Sequence, residues 1–410
     1  MSAARRDLLR IYRAALTAVD GRRRVAEALR GRAPPPALRL VALGKAAEAM
    51  AEGAWDVWGE AVAEGLLITK YDHVERRRWV SRPVEVIEAG HPLPDDNSLL
   101  AGERLLRFVA EAPVDAGFLF LISGGASALA EALAPGATLA AELRALNRWL
   151  LASGADIHHI NRIRKAVSRL KGGRLARALA GRPALQLLIS DVRGDDPAVI
   201  GSGPLQPGGE PAPRELLPPE LAHLWLAEPP PAADDPALAR LETRVIAANG
   251  DALAAAAARA AALGYPVHRH AEFVGGEAAE EGARLARALI DGPPGIHLWG
   301  GEPVVTLPAE PGRGGRAQTL ALAAARILDG RGGLYLLAAG TDGSDGPTED
   351  AGALVDGASA ARCRAAGIDP AAALASADAG SALAAAGDLI HTGPTGSNVM
   401  DIMIGLKTAE

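Results

Sequence analysis

Short, uninterrupted apolar runs recur along the chain, and each ends in a polar turn. Leu38–Leu43 (LRLVAL) stops at Gly44-Lys45. Residues 118–122 (FLFLI) stop at Ser123-Gly124-Gly125-Ala126-Ser127, and residues 185–190 (LQLLIS) stop at Asp191-Val192-Arg193-Gly194-Asp195-Asp196. Runs this short, apolar on both faces, read as buried strands. Helical patterns follow the first two turns. Strands alternating with helices predict βαβ units and a largely parallel sheet. Ligands in such sheets bind beyond the carboxyl ends of the strands, where these three turns lie.

The rest of the pattern extends this reading. Residues 3–31 predict one or two helices before the APPPA break. Residues 156–179 (DIHHINRIRKAVSRLKGGRLARAL) predict one amphipathic helix. Ile157, Ile160, Ile163, Val167 and Leu170 form its apolar face, with Asn161, Arg164, Ser168 and Lys171 opposite. Residues 204–238 are rich in Pro and Ala and read as a linker. Beyond it, 244–250 predicts a strand opening a helix, and 296–308 a strand, a turn at Gly300-Gly301 and a second strand. A Gly-rich loop and helix are predicted over 312–328, a strand over 334–340, and a turn with a short helix or strand over 391–406. The division expected is an N-terminal Rossmann-like domain over 1–238, ending in the linker at about 204–238, and an α/β C-terminal domain over 239–410.

Composition narrows the function classes. The 410 residues carry a formal net charge of −6, with no basic block or aromatic-interleaved basic stripe of the kind nucleic acid requires. The single cysteine, Cys363, excludes an internal disulfide framework and a Cys-rich zinc site. No window supplies the roughly 18 apolar residues of a spanning helix, so no membrane partner and a cytoplasmic location are expected. Only five of the 43 basic residues are Lys, and Lys45 is one of them, beside Gly44 at the end of an apolar run. A compact ammonium there suits phosphate.

Four features carry candidate chemistry. The Ser123–Ser127 turn can offer backbone amides to an anion, or serve as a tight strand–helix connection. Asp191, Asp195 and Asp196 crowd one strand end and Asp342 and Asp345 another; such carboxylates hold Mg²⁺ with phosphate oxygens, or cap helices and turns. The polar face of 156–179 can meet phosphate or carboxylate, or face solvent. Arg316 opens a helix after Gly314-Gly315, where a guanidinium can bind carboxylate or phosphate through two hydrogen bonds. Neither G-x-x-x-x-G-K-[ST] nor G-x-G-x-x-G occurs, so a P-loop kinase and the standard dinucleotide site are unsupported.

Taken in order, VALGKAAEAM, AGHPLPDDNSL, LISGGASALAEAL, SGADIHHINRIRKAVSRLKGGRLA, LLISDVRGDDPAVIGSGP, GGEPVVTLP, GRGGRAQTLALA, AAGTDGSDGPTEDAGALVD and HTGPTGSNVMDIMI resemble the class II glycerate 2-kinases with a MOFRL-type C-terminal domain. The resemblance spans about residues 6–407 but not the 204–238 segment. It implies a Rossmann-like domain and a smaller α/β domain with a cleft between them, and conversion of glycerate and ATP to 2-phosphoglycerate and ADP. The family's GKA lysine matches Lys45 and its GGRNQE arginine matches Arg316, both catalytic or substrate-binding there. Its SGGGSA turn, SDV-GD loop and TDG-DGPT loop match Ser123–Ala128, Asp191–Asp195 and Thr341–Thr348.

On that resemblance Ser123, Gly124, Gly125 and Ser127 are expected to cradle ATP phosphates. Asp191, with Asp195 or Asp342, would hold Mg²⁺. Lys45 and Arg316 would neutralise the transferring phosphoryl group and the substrate carboxylate, and Asp345 would orient the attacking hydroxyl. Asn161, Arg164 and Asn398 complete the expected substrate-binding set. Lys45 and Arg316, as site residues, are expected to contribute little to the core. Ala317 and Thr319 replace an amide and a carboxylate of the family pattern, and Arg193 stands where a small apolar residue is expected. The expected partners are glycerate and ATP, with a homodimer as the candidate assembly. The alternatives are a hydroxypyruvate reductase, a kinase for another small hydroxy or sugar acid, and a non-catalytic sugar-acid-binding regulator.

Overall fold

A computed structural model describes residues 2–134, 139–152 and 157–409. The chain forms two compact units, one of Gly21–Ala247 and one combining the N-terminal segment through Asp20 with the chain from Ala248 onward. In chain order, helix α1 is Ala3–Ala18 and belongs to the second unit. The first unit holds helices α2 (Gly21–Leu29), α3 (Ala47–Trp58), α4 (Asp96–Ala110), α5 (Ala126–Leu129), α6 (Leu139–Ala152), α7 (Ile157–Val167) and α8 (Arg174–Ala178). Its strands are β1 (Leu38–Leu43), β2 (Val62–Lys70), β3 (Val84–Ala89), β4 (Phe118–Ile122), β5 (Ala184–Ile189) and β6 (Leu241–Ala247).

These six strands form one parallel sheet in the order β3-β2-β1-β4-β5-β6. Every residue of β4 and β5 is buried, as central strands covered on both faces require. The order reverses direction between β1 and β4. That switch point opens a crevice at the carboxyl ends of the two strands, between the helices that leave to opposite sides.

The second unit holds β7 (Val267–Val274), β8 (Gly295–Gly301), β9 (Leu334–Gly340), β10 (Asp350–Asp356), β11 (Leu389–His391) and β12 (Asp401–Lys407). With α1 go α9 (Asn249–Ala262), α10 (Ala278–Asp291), α11 (Arg316–Leu328), α12 (Ser359–Ala365), α13 (Pro370–Ala375) and α14 (Ala379–Ala386). The sheet is mixed, in the order β11-β10-β9-β12-β8-β7, with β12 antiparallel to both neighbours. Its register pairs Asp401 with Gly301 on one side and Gly340 on the other. The start of β12 and the ends of β8 and β9 therefore share one edge of the sheet.

The structure departs from the sequence pattern in four places. β6 pairs with β5 and α1 packs on α9, so the two units do not divide at 238/239. The 204–238 segment is no free linker: Ala212, Leu217, Leu221 and Leu224 pack with Leu99, Leu143, Leu146 and Ile163 in a satellite core. Enough Leu is interspersed among its prolines to fix short turns against α6 and α7. The helix expected over 156–179 ends at Val167 and restarts at Arg174, because Gly172 and Gly173 turn the chain at φ of 61° and 81°. The second strand expected within 296–308 is reduced to a single bridge between Val304 and Glu277, where Pro303 and Pro308 limit pairing.

Candidate functional site

In the first unit the switch point is built by two turns bonded to each other. The Lys45 amide donates to Gly124 O at 2.9 Å, the Ser123 amide to Leu43 O at 3.0 Å, and the Ala46 amide to Ser123 Oγ at 3.0 Å. Gly44 has φ 129°, and a Cβ there would lie 2.2 Å from Ser123 Oγ, so glycine at this position is a steric requirement of the contact. Gly125 has φ 85°, and a Cβ on it would press on Lys45 Cγ at 3.2 Å and the His91 ring at 3.1 Å. Its missing side chain is what lets Lys45 and His91 lie over the turn.

Two expectations about this turn change. Ser123 is fully buried and its hydroxyl is engaged by Ala46, so the side chain supports the turn rather than facing a ligand. Helix α5 is a single turn of four residues, so its dipole adds little to anion binding. Ser127, half-buried, has its Oγ 2.9 Å from Ser202 Oγ.

Beside the turn lies a cavity of about 160 Å³ lined by Gly125, Ser127, His91, Asn147, Arg164 and Lys171, among others. The structure thus unites Gly125 and Ser127 with Arg164, which α7 delivers one turn before its end. Burial holds the Arg164 pKa below its ordinary value, opposed by the negative charge of Glu131. Among the described residues the Arg164 guanidinium has no hydrogen-bond or ion-pair partner of its own. A half-buried cation in this state is a ready receptor for a carboxylate or phosphate. Asn161 lies one turn earlier on α7, half-buried, and does not line the cavity.

The cavity wall also contains Glu131, which the sequence did not single out, and it takes up Lys171 and Ser168 from the polar face of 156–179. Glu131 and Lys171, each 4% exposed at the side chain, form a buried ion pair. Ser168 Oγ donates to Glu131 Oε1 at 2.5 Å and the Ala132 amide donates to it at 3.0 Å. Burial pushes the Lys171 pKa down while Glu131 pulls it up. A buried pair is costly to break, since one charge is left unsatisfied. Lys171→Met is therefore expected to cost roughly 3–5 kcal/mol in urea unfolding, and Lys171→Met with Glu131→Leu to recover much of that loss. Glu131 and Lys171 lie 40 positions apart, and no sequence signal joins them.

The acidic loop follows β5, the strand next to β4. Asp191 and Asp195 are half-buried there, and Asp195 has φ 55°, a left-handed conformation that Asp tolerates better than most residues. Asp196 is exposed, and its Oδ1 accepts from the Ala198 amide at 2.9 Å in a turn-forming role. Arg193 is exposed.

In the second unit, the edge where β8, β9 and β12 meet carries a second polar cluster. Arg316, the first residue of α11, grips Asp401 through Nε to Oδ2 at 2.6 Å and Nη2 to Oδ1 at 3.0 Å, and reaches Glu302 at 3.0 Å. Burial alone would lower the Arg316 pKa, but Asp401 and Glu302 raise it well above its ordinary value. Asp401 is 1% exposed and follows Met400, whose φ of 66° is rare for a side-chain-bearing residue. That turn presents Met400 O to the Thr341 amide and hydroxyl. Asn398 is 6% exposed on the same segment. Asp342 accepts from the Ser344 amide at 3.0 Å.

Asp345 differs from its expected role. It is 4% exposed, and its two oxygens accept from the Ala317 and Gln318 amides at 3.1 and 2.7 Å, capping α11. A Cβ at Gly315 would strike it at 2.3 Å. Asp345 thus fixes the helix start that aims Arg316. Ala317 contributes its amide rather than a side chain, and Ala317 and Thr319 are both buried, so the polar side chains of the family pattern have no counterpart at those positions.

Burial and the nearby Asp401 charge raise the Asp345 pKa to about 7, against the helix amides and Arg316, which lower it. Between pH 4 and 7 the folded state then binds more protons at this group than the unfolded state, so its contribution to stability falls as pH rises. The Tm difference between wild type and Asp345→Asn should accordingly shrink from pH 5 to pH 8. A difference that grows over that range would contradict the raised pKa.

Among the described residues no three His, Cys, Asp or Glu side chains cluster to hold a metal ion, and no helix is long and apolar enough to cross a membrane. Asp191 and Asp195 belong to the first unit and Asp342 to the second, as Lys45 belongs to the first and Arg316 to the second.

Residues 7–215 match the family described as "Domain of unknown function (DUF4147)" and residues 295–401 match the MOFRL family. The D-glycerate 2-kinase of Thermotoga maritima is 38% identical over 382 residues, 90% of each chain. A putative hydroxypyruvate reductase of Agrobacterium vitis is also 38% identical, over 88% of this chain and 97% of its own. The crystal structure of glycerate kinase from Thermotoga maritima superposes with a TM-score of 0.87 at 35% identity, covering all of both chains. Domain matches, relatives and fold agree, and the chain belongs to the glycerate kinase family that carries a MOFRL domain.

Proposed function

We propose that this protein is a glycerate 2-kinase, transferring the γ-phosphoryl group of ATP to the 2-hydroxyl of glycerate. The observation that carries the reading is the cavity at the β1/β4 switch point, where Arg164 faces a space of about 160 Å³ beside the Gly124-Gly125 turn and Lys45. That space suits a three-carbon acid, whereas sites for larger ligands run from roughly 300 Å³ upwards. Arg164 binds the carboxylate, and Lys45 meets charge developing on the phosphoryl group. The backbone of Gly124 and Gly125 approaches the nucleotide phosphates with Ser127 at its flank. Arg316, fixed by Asp401 and by the Asp345 cap, supplies the second cation. Phosphoryl transfer needs chiefly positioned charge, and these groups supply it.

Magnesium fits the donor set. Asp191 and Asp195 offer hard carboxylate oxygens, and Mg²⁺ is commonly held by one or two carboxylates with water and phosphate oxygens completing the shell. Asp342 is a further carboxylate for the same role. Bound Mg²⁺ would screen the phosphate charges against the approaching hydroxyl. The reductase reading, carried by the name of the Agrobacterium relative, lacks support in the first βα turn, which reads Gly44-Lys45 in place of the dinucleotide fingerprint.

The test couples product to enolase without phosphoglycerate mutase. Glycerate, ATP and Mg²⁺ should give phosphoenolpyruvate directly, and, without the coupling enzyme, excess EDTA should abolish glycerate-dependent ATP consumption. A requirement for mutase would place the phosphate on the 3-hydroxyl, and NADH oxidation with hydroxypyruvate would restore the reductase reading.

A further inference from the structure

A larger cavity, of about 460 Å³, lies within the second unit and is not needed for the reaction just described. Helix α1 provides one wall through Arg5, Tyr12 and Arg13, and α12, α14 and β11 provide the other through Arg362, Asp388 and His391. The lining is cationic in balance. Its two carboxylates, Asp356 and Asp388, are each already gripped by both Arg5 and Arg362, at 2.6 to 3.0 Å. The same two arginines also donate to backbone carbonyls of the wall, Arg5 to Leu354 O at 2.7 Å and Arg362 to Ala386 O at 3.0 Å. Arg13 is exposed and, among the described residues, has no carboxylate partner. The His391 imidazole is 72% exposed, with Nδ1 2.6 Å from Asp350, so its other nitrogen is turned away from that carboxylate.

The cavity is tied to the Arg316 cluster by two connections. Tyr12 Oη donates to Gly340 O at 2.5 Å, immediately before the loop that carries Asp342 and Asp345. Asp350, behind His391, is also held by Arg313 at 2.8 Å, three residues ahead of Arg316. A ligand that draws α1 towards β11 would act on both ends of the segment that aims Arg316.

We propose that this cavity is a regulatory site for a small phosphoester anion, its phosphate taken by Arg13 and His391 at the rim and its body lying over the Arg5–Arg362 floor. Guanidinium groups recognise phosphate through paired hydrogen bonds. The volume exceeds that beside Arg164, so an organic phosphate larger than the acceptor can be held.

Hydrogen exchange of the full chain tests this, read in peptides covering 2–18 and 386–392. The probes are inorganic phosphate, 2-phosphoglycerate and, as the control without phosphate, glycerate. Exchange should slow by about twofold or more with 2-phosphoglycerate but not with glycerate. Slowing by inorganic phosphate to the same degree would identify the phosphate alone as the recognised group. Protection should vanish in Arg13→Glu, which reverses a rim charge, and in Leu9→Trp, which fills the cavity. Neither position belongs to the kinase machinery, so basal turnover should be kept in both. No protection with either phosphate probe, or protection that survives both variants, overturns the site. This measurement needs no kinase activity, so it stands or falls apart from the proposed reaction. The regulatory part is read in the KM for glycerate, which added 2-phosphoglycerate should shift about twofold or more further in wild type than in Arg13→Glu. Protection without that shift overturns the regulatory role.

Discussion

Lys45→Ala is expected to lower kcat/KM for glycerate phosphorylation by at least about a hundredfold, equivalent to roughly 3 kcal/mol of transition-state stabilisation, while leaving the thermal melt within a few degrees of wild type. The reason is local. Lys45 is positioned by its backbone, through the bond to Gly124 O and the Gly44 contact with Ser123, and neither depends on its side chain. Its side chain is half-buried over Gly125, beside the cavity that Arg164 enters. Removing the ammonium deletes charge from the site without opening a hole in the sheet. Lys45→Arg is expected to recover little, since a planar fork cannot take the place of a compact ammonium against Gly125. Activity near wild type in Lys45→Ala would remove the residue from the chemistry, and a collapsed melt would make its role structural.

How far the sequence disclosed this site depends on the kind of interaction. The parallel sheet was readable because β1, β4 and β5 are apolar on both faces, which leaves few alternatives to central strands. The turns at Lys45, Gly125 and Asp191 were readable because each follows directly on such a run. Groups whose meaning depends on distant partners were not. Glu131 sits in an Ala-Leu stretch as an ordinary helix residue would, and only the fold sets it against Lys171 and Ser168. Asp401 reads as one polar residue before an apolar strand, yet the antiparallel register of β12 places it where β8 and β9 end. Asp345 looked like chemistry because it stands in a run of Asp and Gly, and the fold uses it to cap α11. The expectation that Lys45 and Arg316 contribute little to the core leaves out the grip of Arg316 on buried Asp401, a partner 85 positions away that the sequence did not reveal.

That partner makes the Arg316 variant the more severe of the two. Arg316→Ala leaves Asp401, 1% exposed, without its two-point cation and beside the buried Asp345. Stranding a buried charge costs roughly 3–5 kcal/mol, and because Arg316 is itself about a third exposed, solvent screening reduces this to about 2–3 kcal/mol. For a unit of this size a loss of that order lowers Tm by about 5–10 °C. Activity should fall at least about a hundredfold in addition, since the second cation is gone. Arg316→Lys should restore part of the melt, by returning a charge near Asp401, but little of the rate, because one ammonium cannot hold Asp401 at two points and reach a ligand as well.

The double variant Arg316→Ala with Asp401→Asn separates the two roles. Neutralising Asp401 removes the stranded charge, so the melt should rise towards wild type while kcat/KM stays as low as in Arg316→Ala. Should the double variant regain activity along with stability, Arg316 would be a structural counter-ion and the phosphoryl-facing role assigned to it would pass to Lys45 alone.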